Sequence, residues 1–345
     1  MNRVARYCGI RVLLLAASSS VLSPLSIAQT LSWTKSTPLP EPRAGYSAGV
    51  VNGKLVIAGG TYWEGSKGHW TKKLFSASTH AFDPVTQTWE KLPDAPSPVG
   101  YAASAVAGGK LFVLGGYDGT HVNRKIFVLE YGNGRYAWRS FGDIPADRLF
   151  AHAVGVGNTI YLLGGVTQFE PFDAVGTCCT SKTAANSLLS LDTLNPKKGW
   201  THLPPHPGAK RWGGCAVTDG KSIWMFGGGF QGAASDPVTK FDEALRYDIA
   251  SRKWEVSKSL PKLAEGAPGA PLFLKDKILL IGARKVYQFN PKRLEYTELS
   301  PLPEVAYVET FVWLDNKVIG SGGENTIEGP RRRSEWTFFG KLSDR

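Results

Sequence analysis

Hydrophobic positions along this chain fall in short runs, and the runs repeat. Apolar stretches end in a glycine pair at KLVIAGG (Gly59-Gly60), KLFVLGG (Gly115-Gly116), TIYLLGG (Gly164-Gly165) and SIWMFGG (Gly227-Gly228). A fifth, KILLIGA, is degenerate at Gly282-Ala283, and a sixth, KVIGSGG, ends at Gly322-Gly323. The spacing is roughly 40 to 60 residues, the range of repeats that stack as blades. Before each run stands another apolar segment and a tight polar turn (NGK, GGK, GNT, DGK, KDK, DNK) of the residue types hairpins need for unusual backbone angles. After each comes a loop of variable length, then a third segment, often ending in a turn such as AFDPVTQTW or RYDIASRKW. A fourth is marked by an aromatic residue. The β-branched and aromatic content predicts strands rather than helices.

The fourth-strand aromatics are Trp33, Trp89, Trp138, Trp200, Trp254 and Tyr296, six for six glycine pairs. The first precedes the first glycine pair, and the last repeat stops after its third strand, SEWTFFGKL. The N-terminal strand LSWTKST is therefore expected to complete the last blade and close the ring, which protects strand edges that an open sheet leaves exposed. An apolar strand into Gly-Gly with a downstream aromatic resembles the kelch family over essentially all of residues 29–345. The expected fold is all-β, a six-bladed kelch-type β-propeller in one domain.

The first residues read differently. Arg3, Arg6 and Arg11 precede an apolar run from Val12, and small residues end at Ser26-Ile27-Ala28. This is the layout of a secretory signal peptide over residues 1–28, cleaved near Ala28, and it predicts a periplasmic or secreted protein. The apolar run, broken by Ser18–Ser20 and Pro24, is too short for a membrane span. Losing the three arginines takes the formal charge from +11 to about +8. That balance suits acidic ligands, whereas dispersed basic residues and export speak against nucleic acid. Cys178, Cys179 and Cys215 would remain after Cys8 leaves, and their pairing is open: one bridge to Cys215 or a vicinal bridge. Three cysteines without C-x-x-C spacing do not suggest a metal site, and no His/Tyr cluster marks copper. His152, early in FAHAVGV, reads as a packed inner-strand residue.

In a four-stranded blade the loop after strand two and the link into the next blade share one face, so both should ring the mouth of the central channel. That mouth collects Arg43, Arg148, Arg211 and Glu265 from the links. From the loops it collects Glu64, His69, Trp70, Tyr117, His121, Gln168, Glu170, Glu324 and Arg331. Each residue alone has a structural explanation, and link arginines in particular could tie blades together. Their convergence makes the mouth the expected site.

The stretch GGENTIEGPRRRSEW resembles the Gly-Glu, short loop, Gly-x-Arg motif of the N-acetylneuraminate epimerases, the sialic acid mutarotases, in a cyclically permuted branch of that family. AGGTYWEGSKGHWTKKLF resembles one of their late blades. The resemblance implies that Glu324 and Arg331 are catalytic, and that a loop one residue longer leaves Arg332 or Arg333 as substitutes. It implies Arg43, Tyr117, Gln168, Arg211 and Arg333 as candidates to hold the sugar. No metal and no cofactor are implied, and the partner is a small acidic sugar. The chemistry is coherent on its own terms. Ring opening needs a proton acceptor and donor, which a carboxylate supplies, and a guanidinium fork binds a carboxylate substrate. Two rival readings stand beside it: a non-catalytic propeller that binds a glycan or protein at the same mouth, and an oxidase, for which the residues offer no copper ligand cluster.

Overall fold

A computed structural model describes residues 29–344 apart from 67–68, 168–183, 233–235, 262–269, 283, 306, 308–309 and 326–331. The expected signal segment and the Cys178-Cys179 pair lie outside these residues. The described chain forms six four-stranded antiparallel sheets arranged as blades. Blade I is built from Ser47–Val51, Lys54–Ala58, Thr79–Asp83 and Thr88–Leu92. Blades II to V repeat that meander in chain order, starting at Ala103, His152, Cys215 and Ala270. Blade VI takes Thr310–Leu314, Lys317–Ser321 and Thr337–Asp344, and its outermost strand is Gln29–Ser36 from the N-terminus. That strand pairs over its whole length, from Gln29 opposite Asp344 to Ser36 opposite Thr337, so the expected closure is present.

Second strands are the most apolar because both faces are covered. KLVIA, KLFVL and TIYLL share one pattern, a half-buried first residue and four buried ones. Six apolar clusters fill the six gaps between neighbouring blades, so burial is spread evenly round the ring. The glycine pairs are a backbone requirement: both members have positive φ in each of the five Gly-Gly pairs, 68° and 98° at Gly59-Gly60 and 74° and 95° at Gly322-Gly323. A Cβ on Gly59 would stand 2.3 Å from the Val99 carbonyl oxygen of the next link.

The marker aromatics also have a common task. Each donates its polar hydrogen to a backbone carbonyl where the preceding blade ends. Trp33 reaches Ser300, Trp89 Thr37, Trp138 Pro93, Trp200 Asp143 and Trp254 Pro204. Tyr296 does the same to Lys258 at 2.8 Å, so the one tyrosine keeps the donor that the tryptophans supply. The chain after Gly282 turns back at once, with Lys285 paired to Gly282, as the near-absent loop of blade V predicts.

Candidate functional site at the channel mouth

The residue that follows each glycine pair forms a two-sided backbone bridge with the link that enters its blade. Thr61 pairs with Ala44, Tyr117 with Gly100, Val166 with Leu149, Gly229 with Trp212 and Glu324 with Tyr307. This places strand-two loops and links on one face, as expected. Of these five post-glycine residues, Glu324 is the one that carries a charge. Its backbone gives and receives hydrogen bonds with Tyr307 at 2.6 and 2.9 Å.

Tyr307 lines a cavity of about 390 Å³ at the channel axis. All six blades contribute to its wall, which includes Tyr46, Tyr101, Phe150, His152, Trp212, Cys215 and Phe311. The size falls within the range of about 300–1,000 Å³ typical of small-ligand clefts. Much of the wall is aromatic: Tyr101 and Phe150 lie 4.8 Å apart between ring centroids, and Phe150 and Trp212 5.7 Å. The buried Trp212 indole N–H has no hydrogen-bond partner. His152 sets its Nε2 2.8 Å from the Gly213 carbonyl, which can only accept, so that nitrogen carries the proton. Burial lowers its pKa, outweighing that bond, and keeps the ring neutral. Cys215 is a free, buried thiol whose pKa burial raises, so it is not a thiolate nucleophile. Among the described residues no group of three or more His, Cys, Asp and Glu could hold a metal ion.

Glu324 and Arg333 face each other across a short antiparallel ladder, Glu324–Asn325 against Arg332–Arg333. Directly opposed residues share a face. Arg333 Nη1 lies 2.9 Å from Glu324 Oε2, with the carboxylate side chain 23% exposed and the guanidinium buried. The rest of the Arg333 fork is held by Thr61, Nε on its carbonyl at 3.0 Å and Nη2 on its hydroxyl at 2.8 Å. From Thr61 the polar contacts continue. Its hydroxyl is 3.3 Å from Tyr101 Oη, and Lys73 Nζ is 3.2 Å from the same phenol oxygen. Lys73 comes from the extra hairpin of blade I, Thr61–Ser66 and His69–Phe75, and lies over the Trp63 and Tyr101 rings.

Several expected sugar-holding residues have other positions. Arg43 and Arg211 are 1% exposed and form internal braces. Arg43 donates to the Gly59 and Ser78 carbonyls at 3.1 and 2.8 Å, to the Glu41 carbonyl and to the Glu41 carboxylate. Arg211 donates to the Gly227 and Ala209 carbonyls and to Glu243. Arg148 repeats the scheme on the Gly164 carbonyl. In all three the arginine reaches the first glycine of its own blade, sixteen residues on. Tyr117 is buried with its ring against Phe75 at 5.2 Å, behind the cavity wall instead of on it. Gln168, Glu170, Glu265 and Arg331 lie outside the described residues. The sequence reading missed Tyr101, Lys73, Thr61, Phe150 and Trp212. A repeat alignment holds a signal for two of them, because Tyr101 and Phe150 occupy the position of Gly45 and Gly213. All four have left-handed φ, 56°, 52°, 63° and 62°, which costs a non-glycine residue on the order of 1–3 kcal/mol. Such strain is concentrated where a side chain is needed for a task.

The repeats and their geometry agree with comparisons to known proteins. A family model for the kelch-repeats domain of KLHDC2, KLHL20 and DRC7 matches residues 20–165. The chain is a six-bladed kelch-repeat propeller. A kelch-like protein, terF, of Aspergillus terreus is 25% identical over 288 residues, covering 80% of this chain and 57% of that protein, so the propeller spans just over half its length. An N-acetylneuraminate epimerase of Vibrio vulnificus is 36% identical over 105 residues, 29% of this kelch propeller and 26% of that protein. The solved structure of YjhT superposes with a TM-score of 0.68 at 15% identity, covering 87% of this chain and 95% of that one, a likeness of fold.

Proposed function

We propose that this propeller accelerates ring opening and closure of an acidic sugar, N-acetylneuraminate or a close relative, and so interconverts its anomers. The observation that carries the reading is Glu324. It is the charged member of the post-glycine set, is half-buried beside the cavity, and is oriented by a buried arginine. In this reading Glu324 takes the proton of the anomeric hydroxyl and later returns it. Arg333, bound to Glu324 and Thr61, positions that carboxylate. Arg331, on the same loop, is then the arginine proposed to hold the substrate carboxylate. The 36% match to the Vibrio vulnificus N-acetylneuraminate epimerase supports the substrate class. We place the reaction outside the cytoplasm, following the export signal expected over residues 1–28.

The test is proton NMR of N-acetylneuraminate released as the α-anomer by a sialidase, with and without the propeller. Conversion to β faster than the spontaneous rate supports the reading, and an unchanged rate with folded protein overturns it for this sugar. The arc of Tyr101, Phe150 and Trp212 favours a second reading, a sugar-binding propeller without turnover, because aromatic faces suit the apolar face of a pyranose. Under that reading saturable sugar binding is seen with no acceleration.

A further inference from the structure

Opening a hemiketal ring needs two proton sites, because the anomeric hydroxyl loses a proton while the ring oxygen gains one. Glu324 supplies one of them. We propose that Tyr101 is the second proton-transfer residue, and that Lys73 positions its hydroxyl. The inference rests on the mutarotase reading and extends it.

Four observations lead to Tyr101. It is one of the residues that line the cavity. Its hydroxyl is held at a fixed place by Lys73 Nζ at 3.2 Å and Thr61 Oγ1 at 3.3 Å. Through Thr61 it joins the polar chain that ends at Arg333 and Glu324, so both proton sites are set by one network. Its backbone has a left-handed φ of 56° where blades I and IV have glycine, and the neighbouring blade clears space for its ring. A Cβ on Gly45 would lie 2.5 Å from Tyr101 Cε1. Among the described residues, charged groups near the phenol include Lys73 from the blade I hairpin and, beyond Thr61, Arg333 and Glu324 of blade VI. Neutral Phe75 and Phe150 pack its flanks.

The step balances without any co-reactant. Glu324 takes the anomeric hydroxyl proton, and the bond between ring oxygen and anomeric carbon breaks. Its electron pair stays on the ring oxygen, which takes the Tyr101 proton and leaves an open-chain keto acid. Rotation exposes the other carbonyl face. The hydroxyl then attacks the carbonyl carbon and returns its proton to the Tyr101 phenolate, while Glu324 protonates the new anomeric oxygen. Lys73 Nζ donates to the phenol oxygen and holds it in place through both half-steps.

The experiment measures α-to-β conversion by NMR from pH 5 to 10 for the wild type, Tyr101→Phe, Lys73→Met and Lys73→Arg, with sugar affinity measured by calorimetry. Tyr101→Phe keeps the ring and its packing, so the fold is retained. The expected result is a loss of about 100-fold or more in kcat with affinity within about threefold. Lys73→Met should lower kcat while sugar affinity stays within about threefold, because the phenol loses the donor that positions it. Lys73→Arg should restore most of that loss. A Tyr101→Phe enzyme within twofold of wild-type kcat, or one that loses only affinity, overturns the proposal while leaving the mutarotase reading intact. A Lys73→Met enzyme within twofold of wild-type kcat overturns the role of Lys73. A wild type that accelerates nothing removes the parent reading and this proposal with it.

Discussion

Arginine serves the mouth of this propeller in two ways. Arg43, Arg148 and Arg211 stand on the links, each sixteen residues before the glycine whose carbonyl it binds. They are part of the repeat, and they donate to the chain's own carbonyls, to carboxylates at Arg43 and Arg211, and to the Ser187 hydroxyl at Arg148. Arg333 stands outside that register, on a short ladder opposite Glu324, and its fork joins blade VI to Thr61 of blade I. The same residue type is a brace when it recurs with the repeat and part of a charged site when it does not. Position relative to the repeat, more than charge or proximity to the mouth, separates the two.

Removing a brace should break stability and leave chemistry alone. Arg43→Met or Arg211→Met strands two or more buried carbonyls and is expected to cost roughly 2–5 kcal/mol, read as a lower denaturant midpoint with unchanged slope. Sugar affinity per folded molecule should stay as in the wild type. Arg333→Met should do the reverse, lowering turnover strongly for a smaller loss of stability.

The braces also impose a pH dependence. His80 and His206 lie by Arg43 and Arg211, and burial first, then the neighbouring guanidinium, push each imidazole down to about 4. The unfolded chain protonates near 6.5, so between 6.5 and 4 it binds protons that the folded state refuses. Stability should be full above pH 6.5 and fall as pH drops toward 4, by about 3 kcal/mol per histidine at the limit. Urea melts of the wild type and His80→Asn across that window check the sign, because the variant should show a shallower fall.

Glycines sharpen the contrast further. Gly45→Ala pushes a methyl into the Tyr101 ring and should cost about 1–3 kcal/mol together with activity. Gly53→Ala meets nothing within 4 Å and should cost about 1 kcal/mol from its φ alone, with activity kept. The smallest effect is expected at the outer strands. Trp138→Phe or Tyr296→Phe removes one hydrogen bond to the preceding blade, about 1 kcal/mol by thermal melting.

The ring itself was legible because its demands recur. Glycine pairs are required by positive φ, second strands by burial on both faces, and the outer aromatics by a carbonyl one blade back. Each demand leaves the same mark six times or nearly so. The proposed site stands out in the sequence at Glu324, where a charge follows the glycine pair. Arginines that brace and arginines that bind a ligand look alike as letters, so Arg43 and Arg211 were read into the mouth. Pairing Arg333 with Glu324 depended on the register of a two-residue ladder, which spacing does not determine. Tyr101 went unread because its significance is comparative: it is a bulky residue where blades I and IV keep glycine.

The most direct measurement compares wild type and Glu324→Gln in the α-to-β conversion of freshly released N-acetylneuraminate, with thermal melting in parallel. Loss of conversion to the spontaneous rate in a variant that melts within a few degrees of wild type is the predicted result, consistent with a general acid–base contribution of about 100- to 10,000-fold. Wild-type conversion by folded Glu324→Gln would contradict the account, because the charged post-glycine residue would then have no part in the chemistry.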